Sequence, residues 1–428
     1  MRSSRTAARF TVLLAATALV TSCGGEDDGA TSGDLAGESP EPGTTLSIWT
    51  FGATGLEEQM EAWAADRGVE LEFKTGELDP HHEQLLTALV SGSVPDVAVI
   101  EIGYSATFKA SPDSFVDLRD HGADELADDY LDWRWQNGVA ADGTVIGLPT
   151  DVGGMALAYR TDLFQAAGLP TEPEQVAALW PSWDEFLAVA EQYTADTGQA
   201  FLDDSGVLFE TVAKQGSEVF YDTDGEPIYD TNPQVERAWE VATAAARAGV
   251  TADLAAFSPE WNTGMAQGKY AVQLAPAWML NYIQGQAPDT AGRWNVTTLP
   301  EGGGNWGGSQ LAIPANAEHP DLAYDLITTV LSPESQLEVF QASGNFPSTP
   351  SLYGTPEMRE FTSEFFSGAP LGQIYTASVE ALEPVVEGED QRLILREFGN
   401  GVDRVEKGDE EPGEAWASTL DAIALEID

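Results

Sequence analysis

Apolar β-rich runs and capped helices alternate from residue 45 onward, and this alternation constrains the fold more than any other feature of the chain. Residues 45–51 (TLSIWTF) form a short apolar run that ends at Gly52. Leu56, Met60, Trp63 and Ala64 then recur at helical spacing until Gly68. Residues 69–74 alternate apolar and polar, as a strand does. Asp79-Pro80 supplies a cap and a first-turn proline for a second helix, which Gly92 ends. Residues 96–102 (DVAVIEI) complete a β-α-β-α-β order, and connections of this length require parallel strands with right-handed crossovers.

The pattern continues. Residues 148–160 contain two short extended pieces, followed by a helix over 162–168. Ser182-Trp183-Asp184-Glu185 is a capping box that opens a helix running to Gly198. Asn232-Pro233, Ser258-Pro259, Ser332-Pro333 and Thr355-Pro356 repeat a cap followed by proline. Residues 270–274 and 295–299 read as strands, and beyond about Pro320 the chain reads as wholly helical. Trp63, Trp183 and Trp239 recur with aliphatic residues at helical spacing and read as core, while Trp133 and Trp135 receive no assignment. The expected class is α/β with a helical C-terminal third. A length of 428 residues exceeds one compact core and calls for two lobes.

Charge removes several function classes. With 71 acids against 19 bases and a net charge of −52, the chain repels nucleic-acid phosphates and anionic membrane surfaces. Surfaces this acidic suit proteins that must stay soluble in salt. The single cysteine excludes an intrachain disulfide.

The first 23 residues read as an address. Arg2, Arg5 and Arg9 precede an apolar run over 10–20 that is too short to span a bilayer as a mature helix. The run ends Leu19-Val20-Thr21-Ser22-Cys23, which resembles the bacterial lipobox, with Cys23 as the lipid-bearing residue. Residues 24–45 shift to Gly, Ser, Thr, Pro and acids without a base, and read as a flexible tether. Membrane association is therefore expected through the lipid alone.

Familiar catalytic signatures are missing from the sequence. Gly302-Gly303-Gly304 lacks the lysine of a phosphate loop, and no G-x-S-x-G is present. His81 and His82 point about 100° apart on a helix, a poor metal pair, and read as surface residues. His121 and His319 sit alone in polar segments. No metal and no cofactor are expected. Acids are so frequent that a pair at glycosidase spacing has no diagnostic value, which leaves a secreted glycoside hydrolase as the enzyme alternative.

Five segments resemble the extracellular solute-binding proteins of ABC carbohydrate importers, the family of maltose-binding protein. They are Leu46-Ser47-Ile48-Trp49; Val94-Pro95-Asp96-Val97; residues 147–160 (GLPTDVGGMALAYR) with Asp162-Leu163-Phe164, Ala167-Gly168-Leu169 and the Ser182-Trp183-Asp184-Glu185-Phe186 helix start; residues 268–278 (GKYAVQLAPAW); and Leu299-Pro300 through Gly307-Gly308-Ser309, Ala312-Ile313-Pro314 and Gly344-Asn345-Phe346-Pro347. Their order spans nearly all of the body. The resemblance implies two α/β lobes joined by hinge crossovers near 151–155, 307–311 and Tyr353, with sugar held between them. The implied lobes are 46–151 with 311–352, and 152–310 with 353–428. A saccharide ligand, ABC permease subunits as partners, a lipid-anchored place on the outer face of the cell membrane and a monomeric state follow from the same resemblance.

A sugar offers flat C–H faces and rims of hydroxyls, so its site needs aromatic plates and fixed polar groups. Trp278 matches the family tryptophan that stacks on a sugar ring. Trp306 lies in the glycine-rich crossover, where Gly307 and Gly308 permit close backbone approach. Asp151, at the first crossover, is expected to accept hydroxyl bonds. Glu101 and Tyr104 end the DVAVIEI strand, where α/β sheets present ligands, and Phe51 stands likewise after the first strand. Trp261 and Tyr375 complete the candidates, while Phe346 reads as packing. The rival ligand is a cation such as a polyamine or a basic peptide, which aromatic plates also serve. A cation site needs several convergent carboxylates, and only Asp151 and Glu101 are placed for it.

Overall fold

A computed structural model describes residue 41 and residues 43–427; the leader, Cys23 and most of the acidic segment after it lie outside the described residues. In chain order the strands are β1 Thr45–Phe51, β2 Glu70–Gly76, β3 Val97–Glu101, β4 Gly147–Pro149, β5 Asp151–Val152 and β6 Met155–Arg160. They continue with β7 Ala200–Leu202, β8 Tyr270–Pro276, β9 Trp294–Thr297, β10 Ser309–Ala312 and β11 Phe346–Pro347.

Three sheets result. The first has the order β2-β1-β3-β10-β4, the second β7-β8-β6-β9, and β11 pairs with β5 alone. β1 lies parallel to both β2 and β3, as the β-α-β-α-β order requires. β10 then enters antiparallel between β3 and β4. Residues 150–154 and 298–308 carry the chain between the two larger sheets; β5 sits on the first of these crossings, and β11, from further along the chain, pairs with it.

The strands explain why both sheets are covered by helices. β3, β6 and β8 are buried along their whole length, so each needs an apolar cover on both faces. Leu46 and Ile48 of β1 pack with Met60, Trp63 and Leu326 beside the first sheet. Leu157, Tyr159, Trp183, Phe201 and Trp239 pack beside the second. Trp63, Trp183, Trp239 and Phe346 are all buried, as their spacing and setting indicated.

Local signals set the helix starts. Ser182, Asn232, Ser258, Ser332 and Thr355 each accept a backbone N–H at the start of their helices. Asp79 does not cap. Its helix runs Leu78–Ser91 with Glu77 before it, which leaves the Asp79 carboxylate free to turn outward. The C-terminal third is not wholly helical, because β11 crosses it to pair with Val152 and Asp151. Residues 147–160 hold three strands rather than two.

His81 and His82 correct another expectation. Both are buried, and each ring finds a main-chain carbonyl: His81 Nε2 lies 2.8 Å from Val99 O and His82 Nδ1 lies 2.7 Å from Leu78 O. Because Glu101 N–H donates to His82 Nε2, Nδ1 must carry the proton and the ring is neutral. Burial pushes His82 down to about 3. No group of His, Cys, Asp and Glu among the described residues is placed to hold a metal, and no described helix is long and apolar enough to cross a membrane.

Candidate functional site

The crossings between the sheets are held by a polar clasp. Arg134, only 1% exposed, donates from Nε to Asp151 O at 3.0 Å and from Nη1 to Asn137 Oδ1 at 3.0 Å. Its Nη2 donates to Ser309 O on the other crossing. Thr150 Oγ1 donates to Asp151 Oδ1 at 2.6 Å, and Ser309 N–H donates to the same oxygen at 3.2 Å. The Asp151 side chain thus fastens one crossing to the next, a role the sequence did not reveal. Burial pushes its carboxyl up, against the hydrogen bond from Thr150 and the charge of Arg134.

Glycine is required here by close approach. A Cβ on Gly153 would lie 2.0 Å from Trp306 O, and one on Gly308 would lie 3.1 Å from Asp151 O at a φ of +106°. Trp306 N–H donates to Gly153 O and Met155 N–H to Gly304 O, so the glycine-rich crossover lies directly on the first crossing.

That packing builds an aromatic wall. Trp278 follows β8, is half-buried, and donates from Nε1 to Trp306 O at 3.0 Å. The two indoles meet edge to face, with centroids 5.5 Å apart. Gly307 lies against Trp278, its Cβ position being 3.4 Å from the indole nitrogen. Phe257 completes the wall, stacked on Trp278 at 6.2 Å and 18° and 6.1 Å from Trp306. It is 47% exposed at a φ of +67°, an unusual backbone for a residue with a Cβ. Sequence reasoning missed it. Its one signal is an aromatic before the Ser258 cap, a position that ordinarily packs back onto the helix.

A second group gathers at the end of β3. Tyr104 stacks on His82 at 3.9 Å and 3°, and Phe51 lies 5.3 Å from the same ring. Tyr104 Oη donates to Asp79 Oδ1 at 2.7 Å, and Arg392 Nη2 reaches the same oxygen at 3.0 Å. Arg392 begins the helix Gln391–Glu406, which packs on the helices beside the second sheet, so this ion pair joins the two sheets' covers. Glu101 accepts from Gly103 N–H. Burial raises its carboxyl, while Arg392 and Lys214 pull it down.

Between these groups lies a narrow pocket with about 10 Å³ of free space, room for a single water-sized group such as one hydroxyl, lined by Ile102, Trp133, Lys214, Asn305, Leu382, Glu383, Val385 and Glu387. Ile102 follows β3 of the first sheet, and Asn305 precedes Trp306 of the aromatic wall. Trp133, unassigned from sequence, supplies an apolar side. Lys214 holds Glu210 at 2.7 Å.

The structure therefore brings Trp278, Trp306 and Gly307 together, sets Gly308 against Asp151 at the clasp, and groups Glu101, Tyr104 and Phe51 around His82. It places Trp261 and Tyr375 in the hydrophobic cluster behind the wall, with the Trp261 ring 5.4 Å from Phe257. Both are fully buried, with Trp261 Nε1 donating to Asp203 Oδ2 at 2.7 Å and Tyr375 Oη donating to Ala275 O at 3.0 Å. In this conformation both are packing residues, since an aromatic ring with its polar atom satisfied belongs in a core as readily as in a cleft.

Comparison with known proteins fixes the family. The sequence pattern of the bacterial extracellular solute-binding proteins matches residues 58–362. The chain belongs to this family. A solved member described as an extracellular solute-binding protein of family 1 is 32% identical, with a TM-score of 0.79 over 89% of this chain and 99% of that one. The arabinooligosaccharide-binding protein of Halalkalibacterium halodurans is 26% identical over 347 residues, 76% of each chain. An ABC-transporter-associated binding protein from B. animalis subsp. lactis, solved with beta-1,6-galactobiose, shares the fold at a TM-score of 0.77 and 22% identity, over 89% of this chain and 97% of that one. Solute-binding proteins of this fold have two lobes, and the two larger sheets with their helices form them here.

Proposed function

We propose that this solute-binding protein captures a neutral sugar or oligosaccharide between its two sheets and delivers it to the permease of an ABC importer. The observation that carries this reading is the wall of Phe257, Trp278 and Trp306 at the crossing between the sheets. A partly exposed aromatic surface above fixed polar groups suits the C–H face and hydroxyl rim of a pyranose or furanose. The names of the relatives point the same way.

Charge argues against a cationic ligand. Asp151 faces Arg134, and Glu101 faces Arg392 and Lys214, so neither carboxylate is free to meet an incoming cation. Lys214 lines the pocket between the sheets, and Lys109 and Arg134 also act on its Glu387, so local positive charge opposes an incoming cation.

The lobes are 46–151 with 311–352, and 152–310 with 353–428, and the Arg134–Asp151–Ser309 clasp serves as their hinge. The ligand stabilises the form in which both lobes touch it, and the Asp79–Arg392 pair closes the far rim. Cys23 carries a lipid, and the acidic segment after it lets the monomer stand off the outer face of the membrane. The protein binds without turnover.

The test is a panel of arabinotriose, lactose, galactobiose and spermidine, scored by tryptophan fluorescence. Saturable binding of a saccharide with no response to spermidine is expected. Spermidine binding without any saccharide response refutes the reading, and cleavage of a bound saccharide refutes the absence of turnover.

A further inference from the structure

The pocket beside the aromatic wall contains acceptors that the protein leaves without donors. Asn305 is 7% exposed; its Nδ2 donates to Gly307 O at 3.0 Å, while its Oδ1 has no hydrogen-bond partner. Glu387 lies on the same pocket wall, in the irregular segment before the helix Gln391–Glu406, and its buried Oε2 is also unpartnered. No Lys or Arg of the described residues comes within ion-pair distance of it, whereas Glu210, Asp79, Glu397 and Glu410 all hold such partners. Native proteins rarely bury acceptors without donors, and an acceptor pair lining one cavity is a place where a donor belongs.

We infer that Asn305 and Glu387 are ligand-binding residues that accept hydrogen bonds from a hydroxyl group of the sugar, in the pocket beside the aromatic wall. The inference rests on the sugar reading given above and names residues that no sequence motif singles out. Hydroxyl donors fit better than an ammonium. Lys214, Lys109 and Arg134 face Glu387 from three separate helices or helix ends, with Glu101 at the end of β3 and Glu383 on its own segment. A ligand cation would meet those three bases, whereas a hydroxyl meets only the acceptor.

A linked proton follows. Burial pushes Glu387 up to about 7 in the empty pocket, with Lys214 the largest opposing influence. Donors arriving at its carboxylate favour the ionised form, so capture near pH 7 releases up to about half a proton, the fraction still bound at half-titration.

The experiment is titration calorimetry of the full chain with arabinotriose, lactose and galactobiose at pH 7, in two buffers of different ionisation enthalpy. Glu387→Gln preserves shape, and its melting temperature reports folding separately. We expect Glu387→Gln and Asn305→Ala each to bind the preferred saccharide at least tenfold more weakly, and the buffer-dependent heat of wild type to vanish in Glu387→Gln. Wild-type affinity in both variants overturns the acceptor pair while leaving the sugar reading intact. A buffer-dependent heat that persists in Glu387→Gln overturns the role of its carboxylate. Wild type that binds none of the three saccharides overturns the sugar reading and the pair with it.

Discussion

Replacing Arg134 by Met tests whether the clasp between the crossings is a structural hinge. The variant keeps an unbranched stem, ends near the position of Nε, and removes three hydrogen bonds from a buried guanidinium, to Asp151 O, Asn137 Oδ1 and Ser309 O. Ser309 O retains the backbone N–H and hydroxyl donors of Thr150. Asp151 O loses a charged donor, and its carboxylate loses the neighbouring positive charge. Bonds to charged groups contribute about 1.5–3 kcal/mol each, but the desolvation cost of the guanidinium disappears with it. A net loss of about 3 kcal/mol is expected. The unfolding entropy of a body this size is about 0.8 kcal/mol/K, so the melting temperature falls by about 4 °C. Differential scanning calorimetry at pH 7 reads this directly. Arg134→Lys should recover less than half, because one ammonium cannot span both crossings. A melting temperature at or above wild type refutes the argument, since it means that desolvation cancels the bonds.

Three further outcomes follow from the structure. Burial holds Asp203 at about 8, with Trp261 Nε1 on one oxygen and the other unpartnered. Its folded-state pKa exceeds the unfolded value of about 3.9, so the folded state binds the extra proton, and stability falls as pH rises from about 4 to 8. Asp203→Asn should therefore gain stability over wild type as pH rises through this window, in thermal melts at pH 5, 6.5 and 8; a constant difference contradicts the assignment. Asp79→Asn weakens the pair with Arg392. Both side chains are partly exposed, so a contribution of about 0.5–1 kcal/mol translates to a two- to fivefold loss of saccharide affinity at low salt, and an equal loss at 1 M NaCl would count against an ionic origin. Finally, a net charge of −52 should make the melting temperature rise between 0.1 and 1 M NaCl as the Debye length shrinks from about 10 to 3 Å. A flat curve means that the carboxylates are already well solvated.

Features written within a few residues were legible in the sequence. Ser182, Asn232, Ser258, Ser332 and Thr355 cap their helices because a cap requires only a side-chain oxygen and the next turn's N–H groups. The parallel start was legible because two crossover helices leave no other arrangement. β11 was not, since its two residues pair with Val152 and Asp151 far away along the chain and carry no local signature. Asp79 shows the same limit: a helix beginning one residue earlier turns an expected cap into an ion-pair partner of Arg392. His81 and His82 read as surface groups by residue type, yet Val99 O and Leu78 O satisfy them inside. At the site, the family match singled out Trp278 and the glycine-rich crossover singled out Trp306. Nothing local distinguished Phe257 at the wall from Trp261 and Tyr375 in the core, because the same ring serves either setting. Asn305 and Glu387 were hidden for a different reason, as an unpartnered acceptor exists only once the fold has placed every other donor.

Calorimetric titration of wild type and Trp278→Ala with the saccharide that the panel selects tests the central claim most directly. Trp278 contributes its half-buried face to the wall beside Phe257 and Trp306. Loss of an aromatic plate from a preformed site is expected to cost about 2–4 kcal/mol, a thirty- to thousandfold weakening. The account predicts one saccharide per wild-type chain and that weakening in the variant, with the variant still folded at the temperature of the titration. Equal affinity in the two proteins, with the variant melting far lower, would contradict it and return Trp278 to the core.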